Sequence, residues 1–259
     1  MKLIASRENT YFKLLKKLAA SAKERRETST AMLDGEHLLS AYLDSGGVPQ
    51  AVIVSSSARG QPAIENLLQR AATAESVELP DTLFAEVAPV KSPTGIMALI
   101  AIPEPVPQAA DFCVLLEDIQ DPGNLGSILR SAAAAGAQAA YLSQHCTDPW
   151  SPKVLRAGMG AHFSLQIFES ADLPEIAQTF TGSVVAATLV AERSLYQLDL
   201  SGSVTFAIGN EGAGLSEKLL AAVDVRVTIP MPGAMESLNA AAAAAICLFE
   251  RVRQKQQAL

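Results

Sequence analysis

Residues 112–136 read FCVLLEDIQDPGNLGSILRSAAAAG and spell out one β-loop-α unit. Phe112–Asp118 is an apolar run of strand length, closed off by Asp121-Pro122-Gly123. From Leu125 to Ala135 apolar residues recur at helical spacing, and Gly136 stands where a helix end favours glycine. The pattern repeats downstream. AAYLS, SLQIF, VVAAT, VTFAIG and VRVTIP are further strand-length runs, so that six strands are expected. Ser151-Pro152 opens another helix, because proline suits the first helical position. Ser237 to Arg253 reads as the closing helix. Strands alternating with helices predict an α/β fold with a parallel, doubly wound sheet.

Upstream, Ile102-Pro103-Glu104-Pro105-Val106-Pro107 sets three prolines within five positions, which stops helix and sheet alike. It separates a domain at 1–103 from one at 108–259. In the first, Asn9 or Thr10 can cap a helix whose apolar positions are Phe12, Leu15 and Leu18. A strand near Ala31–Leu33 precedes helix Glu36–Asp44, which Gly46-Gly47 ends. AVIVSS, VELP and IMALIAI read as strands, Ala63–Ala74 and Thr82–Val87 as helices. This alternation predicts a small α/β layer domain.

Hydrophobic residues make up 49% of the 259 positions, enough for a substantial core. Cys113, Cys146 and Cys247 are odd in number and lack CxxC spacing, which argues against a disulfide framework or zinc site and points to a reducing, cytoplasmic compartment. The start of the chain lacks the apolar run of a signal peptide. The longest apolar run, Leu238–Phe249, falls short of the roughly 20 residues that span a bilayer. A net charge of −7 argues against a polyanionic partner, yet residues 1–30 alone carry +5. A basic arm on an acidic body would suit a polyanion, and an exposed helix with solvated lysines explains the same charges.

Three segments at strand ends carry polar residues. In Asp121–Arg130, Asn124 sits near a helix start, where N–H groups are free, and Arg130 lies in an otherwise apolar helix. A charged group there needs a partner or a ligand, or it is a surface arginine paired with a carboxylate. In Ala207–Ser216 the spacing is G-x-x-G-x-G, not the G-x-G-x-x-G of dinucleotide binders, with Glu211 held between glycines that let backbone approach a ligand. A plain β-α turn reads equally well. In Ile229–Asn239 the chain turns through prolines and a glycine, and Ser237 or Asn239 begins a helix. Helix capping accounts for both. Together the three segments lie at carboxyl ends of one expected sheet, where open α/β sheets bind ligands.

The order N-x-x-x-x-x-R from Asn124, then GNEGAGLS from Gly209, then IPMPGAMESLN from Ile229 resembles the three signature motifs of the SpoU (TrmH-like) RNA 2′-O-ribose methyltransferases of the SPOUT class. SPKVLRAGMGA from Ser151 resembles the family's segment between the first two. Ser6, Asn9, Lys13, Leu18, Arg26, LDGEHLL from Leu33 and SPTGI from Ser92 resemble its substrate-binding extension. The resemblance implies a parallel-sheet SPOUT domain with a trefoil knot at 108–259, preceded by an L30e-like RNA substrate-binding domain at 1–103. It implies a homodimer that binds S-adenosyl-L-methionine and ribosomal or transfer RNA, with no membrane partner. Backbone at Gly209, Ile229 and Leu238, with Met231 nearby, would contact the donor. The family continues S-L-N-V-S-V-A where this chain has Ser237-Leu238-Asn239-Ala240-Ala241-Ala242-Ala243, so Ala241 removes one hydroxyl.

Transfer of methyl from a sulfonium to a ribose hydroxyl rests mainly on positioning. Arg130 is expected at the 2′-oxygen or a neighbouring phosphate, as electrostatic stabiliser or as base. Asn124, Glu211, Ser237 and Asn239 would orient it and the ribose, and Glu211 could take the proton. Lys153, Arg156, Lys13, Arg25 and Arg26 are candidate phosphate contacts. No metal is expected, and His37, His145 and His162 read as structural. An RNA-binding or ribosome-associated module that keeps the fold without catalysis is the competing reading. A nucleotide-dependent Rossmann enzyme lacks its fingerprint here.

Overall fold

The computed structural model describes residues 1–90 and 92–257, which divide into two compact units. The first contains Met1–Glu104 and, separately, Asp148–Phe163. Its strands are β1 (Lys2–Leu3), β2 (Thr30–Asp34), β3 (Ala51–Ser55), β4 (Glu75–Leu79) and β5 (Ile96–Ala101). They form one mixed sheet in the order β1-β4-β3-β5-β2, with β5 antiparallel to both its neighbours. Helices α1 (Thr10–Ala20), α2 (Ala22–Thr28), α3 (Glu36–Asp44), α4 (Pro62–Arg70) and α5 (Asp81–Val87) complete this run. Asn9 caps α1 by accepting from Tyr11 N at 2.9 Å, and Phe12, Leu15 and Leu18 enter the core beside Ile53, Val77 and Leu79. The sequence reading misses the two-residue β1 and the second helix of the arm, α2.

The second unit contains Pro105–Thr147 and Ser164–Leu259. The chain passes through β6 (Phe112–Leu116), α6 (Pro122–Ala134) and β7 (Ala139–Leu142). It then forms α7 (Pro152–Gly158), which packs with β2 in the first unit. It returns with β8 (Gln166–Phe168), α8 (Leu173–Thr179), β9 (Ser183–Ala187), β10 (Arg193–Ser194), β11 (Val204–Ile208), α9 (Glu217–Leu220), β12 (Val225–Thr228) and α10 (Ala240–Gln257). The seven strands pair in parallel in the order β10-β12-β9-β11-β6-β7-β8. All six expected strands are present, and β10 is added at one edge. Gly136, at φ +81°, follows α6 in a Schellman-type turn, with Ala137 N donating to Ala132 O at 2.9 Å. The closing helix starts at Ala240 rather than Ser237, because the Asn239 side chain accepts from Ala241 N and Ala242 N and so caps it.

Residues 148–163 therefore fold with the first unit, although the linker places them in the 108–259 segment. Arg25 shows the reason. Its guanidinium donates to Asp148 Oδ2 at 2.6 and 2.8 Å and to Leu18 O at 2.5 Å, and the arginine side chain is only 4% exposed. Trp150, the one tryptophan, is buried and lies 5.2 Å from the His162 ring. His162 Nε2 donates to Pro149 O at 2.8 Å, while Nδ1 is buried without a partner.

Arg25→Met should cost about 3–5 kcal/mol, because Asp148 is left nearly buried without its counter-charge. Urea denaturation followed by Trp150 fluorescence measures this, and a loss below about 1 kcal/mol would show that the pair does not hold the segment. His162 gives a pH signature. Burial pushes its pKa down to about 4, and protonation would place an N–H on Nδ1 with no acceptor. The unfolded chain binds this proton first, so stability is full above about pH 6.5 and falls as pH drops toward 4. Between pH 8 and pH 5 the loss should be about 2 kcal/mol, and His162→Gln should flatten that slope.

Candidate active site

The sheet of the second unit changes direction between β6 and β11. From β6 the chain runs outward through β7 and β8, whereas β11, β9, β12 and β10 lie on the other side. Loops leaving β6 and β11 meet at the carboxyl end of the sheet, the end at which α/β sheets bind ligands. The register sets Leu116 against Ile208, and Glu117 N continues the pairing to Ile208 O at 2.9 Å.

The loop after β11 folds back on itself. Asn210 and Gly214 exchange backbone hydrogen bonds at 3.1 and 2.9 Å, and Gly214 adopts φ +71°. Asn210 Oδ1 accepts from Gly212 N and Ala213 N at 2.8 and 3.0 Å, while its Nδ2 donates to Asp118 O at 2.9 Å. A Cβ on Gly209 would lie 2.4 Å from the carbonyl of Gly214. This glycine is thus required by the loop's own closure. Ser216 caps α9 and is tied to Glu117, its N at 2.6 Å and its Oγ at 2.7 Å.

The three polar segments meet through side chains. Asn124 Nδ2 donates to Glu211 Oε1, and Asn239 Nδ2 donates to Asn124 Oδ1 at 2.9 Å. Asn124 is held by its own helix start, where Asp121 Oδ1 accepts its backbone N–H at 2.8 Å. A chain Asn239–Asn124–Glu211 thus connects the starts of α10 and α6 to the loop after β11.

Beside it lies a cavity of about 330 Å³. Gly209, Ile229, Met231 and Leu238, all expected at a donor site, line it, together with Glu211 and Ser237. Thr188 and Leu189, after β9, also contribute to its wall. Among the described residues Glu211 is the one charged residue in the lining. Asn124, Asn239 and Arg130 do not line it. Arg130 is exposed, because Leu125, Ile128, Leu129 and Ala132 form the buried face of α6. Among the described residues it has no hydrogen-bond or ion-pair partner, so it is a surface arginine as one of the two readings had it, but without the carboxylate that reading supplied.

The expected phosphate contacts sit in the first unit. Lys153 and Arg156 are exposed on α7. Arg26 is exposed on α2, and Lys13 pairs with Glu8. Arg25 is a correction: buried against Asp148, it has no surface to offer RNA. The basic arm is also largely compensated. Arg7 and Lys16 pair with Glu86, Lys17 with Glu24 and Lys23 with Glu27. The first unit has thirteen Lys and Arg against thirteen Asp and Glu, so the second carries the whole charge of −7.

Sequence reasoning passed over Asn210, Asp118, Glu117 and Ser216. Asn210 had a local signal, since an asparagine before glycines in a turn hydrogen-bonds the backbone two or three residues on. Glu117 had none, for its partner lies 99 positions away.

The SpoU rRNA Methylase family model matches residues 111–249, and the model of the MRM3-like substrate binding domain matches residues 9–98. The chain belongs to the SpoU rRNA methylase family. It is 34% identical, over 96% of its length and 98% of the relative's, to the 23S rRNA (guanosine(2553)-2′-O)-methyltransferase RlmP of Bacillus subtilis. It is 28% identical, over 95% of its length and 91% of the relative's, to the 23S rRNA (uridine(2479)-2′-O)-methyltransferase of Streptomyces viridochromogenes. The AdoMet-bound rRNA methyltransferase from Sinorhizobium meliloti has a similar structure, with TM-score 0.85, 29% identity and 97% of each chain covered.

Gly209→Ala and Gly214→Ala should separate closeness from conformation. The first forces the loop open, whereas the second meets nothing within 4 Å and costs only the left-handed φ, about 1–2 kcal/mol. Thermal melts should show Gly209→Ala as clearly the more damaging, and equal shifts would mean that the loop's closure is not the constraint.

Proposed function

We infer that this chain transfers a methyl group from S-adenosyl-L-methionine to a ribose 2′-hydroxyl of RNA. The observation that carries this is the cavity at the β11 and β12 ends, walled by the family's motifs and joined to the first motif through Asn124. Its volume lies within the roughly 300–1,000 Å³ of small-molecule sites. Ile229, Met231, Leu238 and Ala240 offer apolar surface for an adenosine, and backbone at Gly209 and Ile229 offers polar atoms. A wall that, among the described residues, carries a carboxylate and no cation fits a donor with a positively charged sulfur. When bound, that donor supplies an electrophilic methyl group.

The chain's own residues have three tasks. The hydroxyl must give up a proton, and Glu211 is the carboxylate at hand to accept it. Asn124 fixes one carboxylate oxygen, and Asn239 fixes Asn124, so that Glu211 is held in one orientation. Arg130, exposed on α6, meets the acceptor's ribose or phosphate as an electrostatic stabiliser. Ser237, exposed at the cavity wall, completes the acceptor side. The acceptor is ribosomal RNA, the substrate that the relatives' names print. Residues 1–103 with α7 bind it, Lys153 and Arg156 contacting phosphates. The remaining family features belong to the same proposal: the trefoil knot, the cytoplasmic location, and a homodimer that would cover exposed apolar residues such as Phe249 and Met235. Among the described residues no helix is long and apolar enough to cross a membrane.

The test is mass spectrometry of nucleosides from ribosomal RNA incubated with the protein and labelled donor. A labelled 2′-O-methyl nucleoside is expected. Its absence, with donor binding intact, would favour a non-catalytic RNA-binding module. Arg130→Ala should lower transfer by at least about a hundredfold while leaving S-adenosylhomocysteine affinity within about twofold, because Arg130 lies outside the cavity wall. Transfer within tenfold of the parent would remove Arg130 from the mechanism.

A further inference from the structure

The first unit contains a second cavity, of about 180 Å³, that the methyl-transfer chemistry does not use. Four stretches wall it: Ser55 at the end of β3, the turn carrying Ser57, Ala58 and Gln61, the start of α5 with Asp81 and Phe84, and Pro93-Thr94-Gly95 ahead of β5. Phe84 and Ala58 close its base and are themselves nearly covered, at 1% and 2% exposed. Its rim is polar and rich in acceptors.

The cavity is built into the chain path and is not a gap left by packing. Gly95 adopts φ +92°, and a Cβ there would lie 2.3 Å from Ala58 Cβ and 2.9 Å from Ser55 Oγ. Only glycine lets this wall close, and Ser55 N seals it to Gly95 O at 2.9 Å. At the mouth, Asp81 Oδ1 accepts from Ser57 N at 3.0 Å. That bond, with help from the Ser57 and Ser55 hydroxyls, holds the Asp81 carboxyl below its usual range, so it is a fixed and ionised acceptor. Ser55, Ser57 and Thr94 add hydroxyls that accept or donate, and Gln61 adds an amide.

The chemistry narrows the ligand. Among the described residues the lining has no cation, and Arg59, next to Ala58 in the chain, is turned to Glu78 at 2.8 Å. A phosphate would meet a carboxylate and is excluded. What fits is a small planar group that carries adjacent N–H donors for the carboxylate and further polar atoms for the hydroxyls and the Gln61 amide. We propose that this cavity takes one unpaired base of the substrate RNA, a guanine, whose N1–H and exocyclic amine face Asp81. This rests on the RNA reading above and adds to it a nucleotide recognised away from the methylated ribose, since sequence-specific RNA recognition works on splayed-out bases held by their edges.

Titration of the isotope-labelled full-length protein with GMP, AMP, CMP and UMP tests it. GMP should shift the backbone amides of Ser57, Ala58 and Gly95, and the other three should shift them far less. In Asp81→Asn one acceptor oxygen becomes a donor, and the preference for GMP over AMP should fall on the order of tenfold. Thr94→Val, which leaves the Asp81–Ser57 bond alone, should also weaken the GMP response. Four nucleotides that act alike, or none that acts at these amides, overturn the proposal. A protein that methylates RNA yet gives no such response loses the base site and keeps the methyltransferase reading.

Discussion

β11 lies beside β6 although 92 residues of chain separate paired positions. The other parts of the second unit's site depend on that pairing. It brings the turn at Asp118 within hydrogen-bonding reach of Asn210, and Glu117 within reach of Ser216. It sets the start of α6 across from the loop that carries Glu211. With all seven strands parallel, every strand delivers its loop to a single end, and polar groups remote in sequence gather there. The cost of the arrangement is the closure of a long loop before any native contact across it forms.

The loop after β11 shows how backbone and side chain share the work. Asn210 satisfies three backbone groups with one amide, which frees the neighbouring Glu211 to point toward Asn124. A glutamate on an unbraced glycine-rich loop would sample many orientations, because glycine restricts the backbone least. The bracing converts a flexible sequence into a fixed carboxylate, as a proton acceptor requires.

The strands of the second unit were legible because each is a short, bounded apolar run, which a doubly buried parallel strand must be. Their order was not, since strand order is settled by pairings that leave no local mark. The same division holds at the site. Gly209, Ile229, Met231 and Leu238 were named through the family resemblance and not by the strand-end pattern alone, and all four line one cavity. Arg25 was misread because its partner, Asp148, lies 123 positions away and nothing local marks the arginine as buried. The exposure of Arg130 was left open because alanines dominate its helix, and alanine fits a solvent face as readily as a core. The charge of the first thirty residues was legible as a sum, but not its neutralisation, for Glu86 comes from α5. The start of α10 was misjudged by three residues because Ser237 and Asn239 are both good caps and only geometry chooses between them.

The discontinuity of the first unit has a consequence for biosynthesis. Its sheet is complete at Ala101, but its contact set is not, because α7 and the Asp148 partner of Arg25 arrive only with residues 148–163. A chain emerging from the ribosome at about 5–20 residues per second therefore exposes the α7-binding side of β2 for several seconds. During that interval β6, α6 and β7 of the other unit emerge first. The amino-terminal part of this protein cannot finish folding before the carboxy-terminal part has begun, so the vectorial, domain-by-domain order open to most tandem proteins is closed to it.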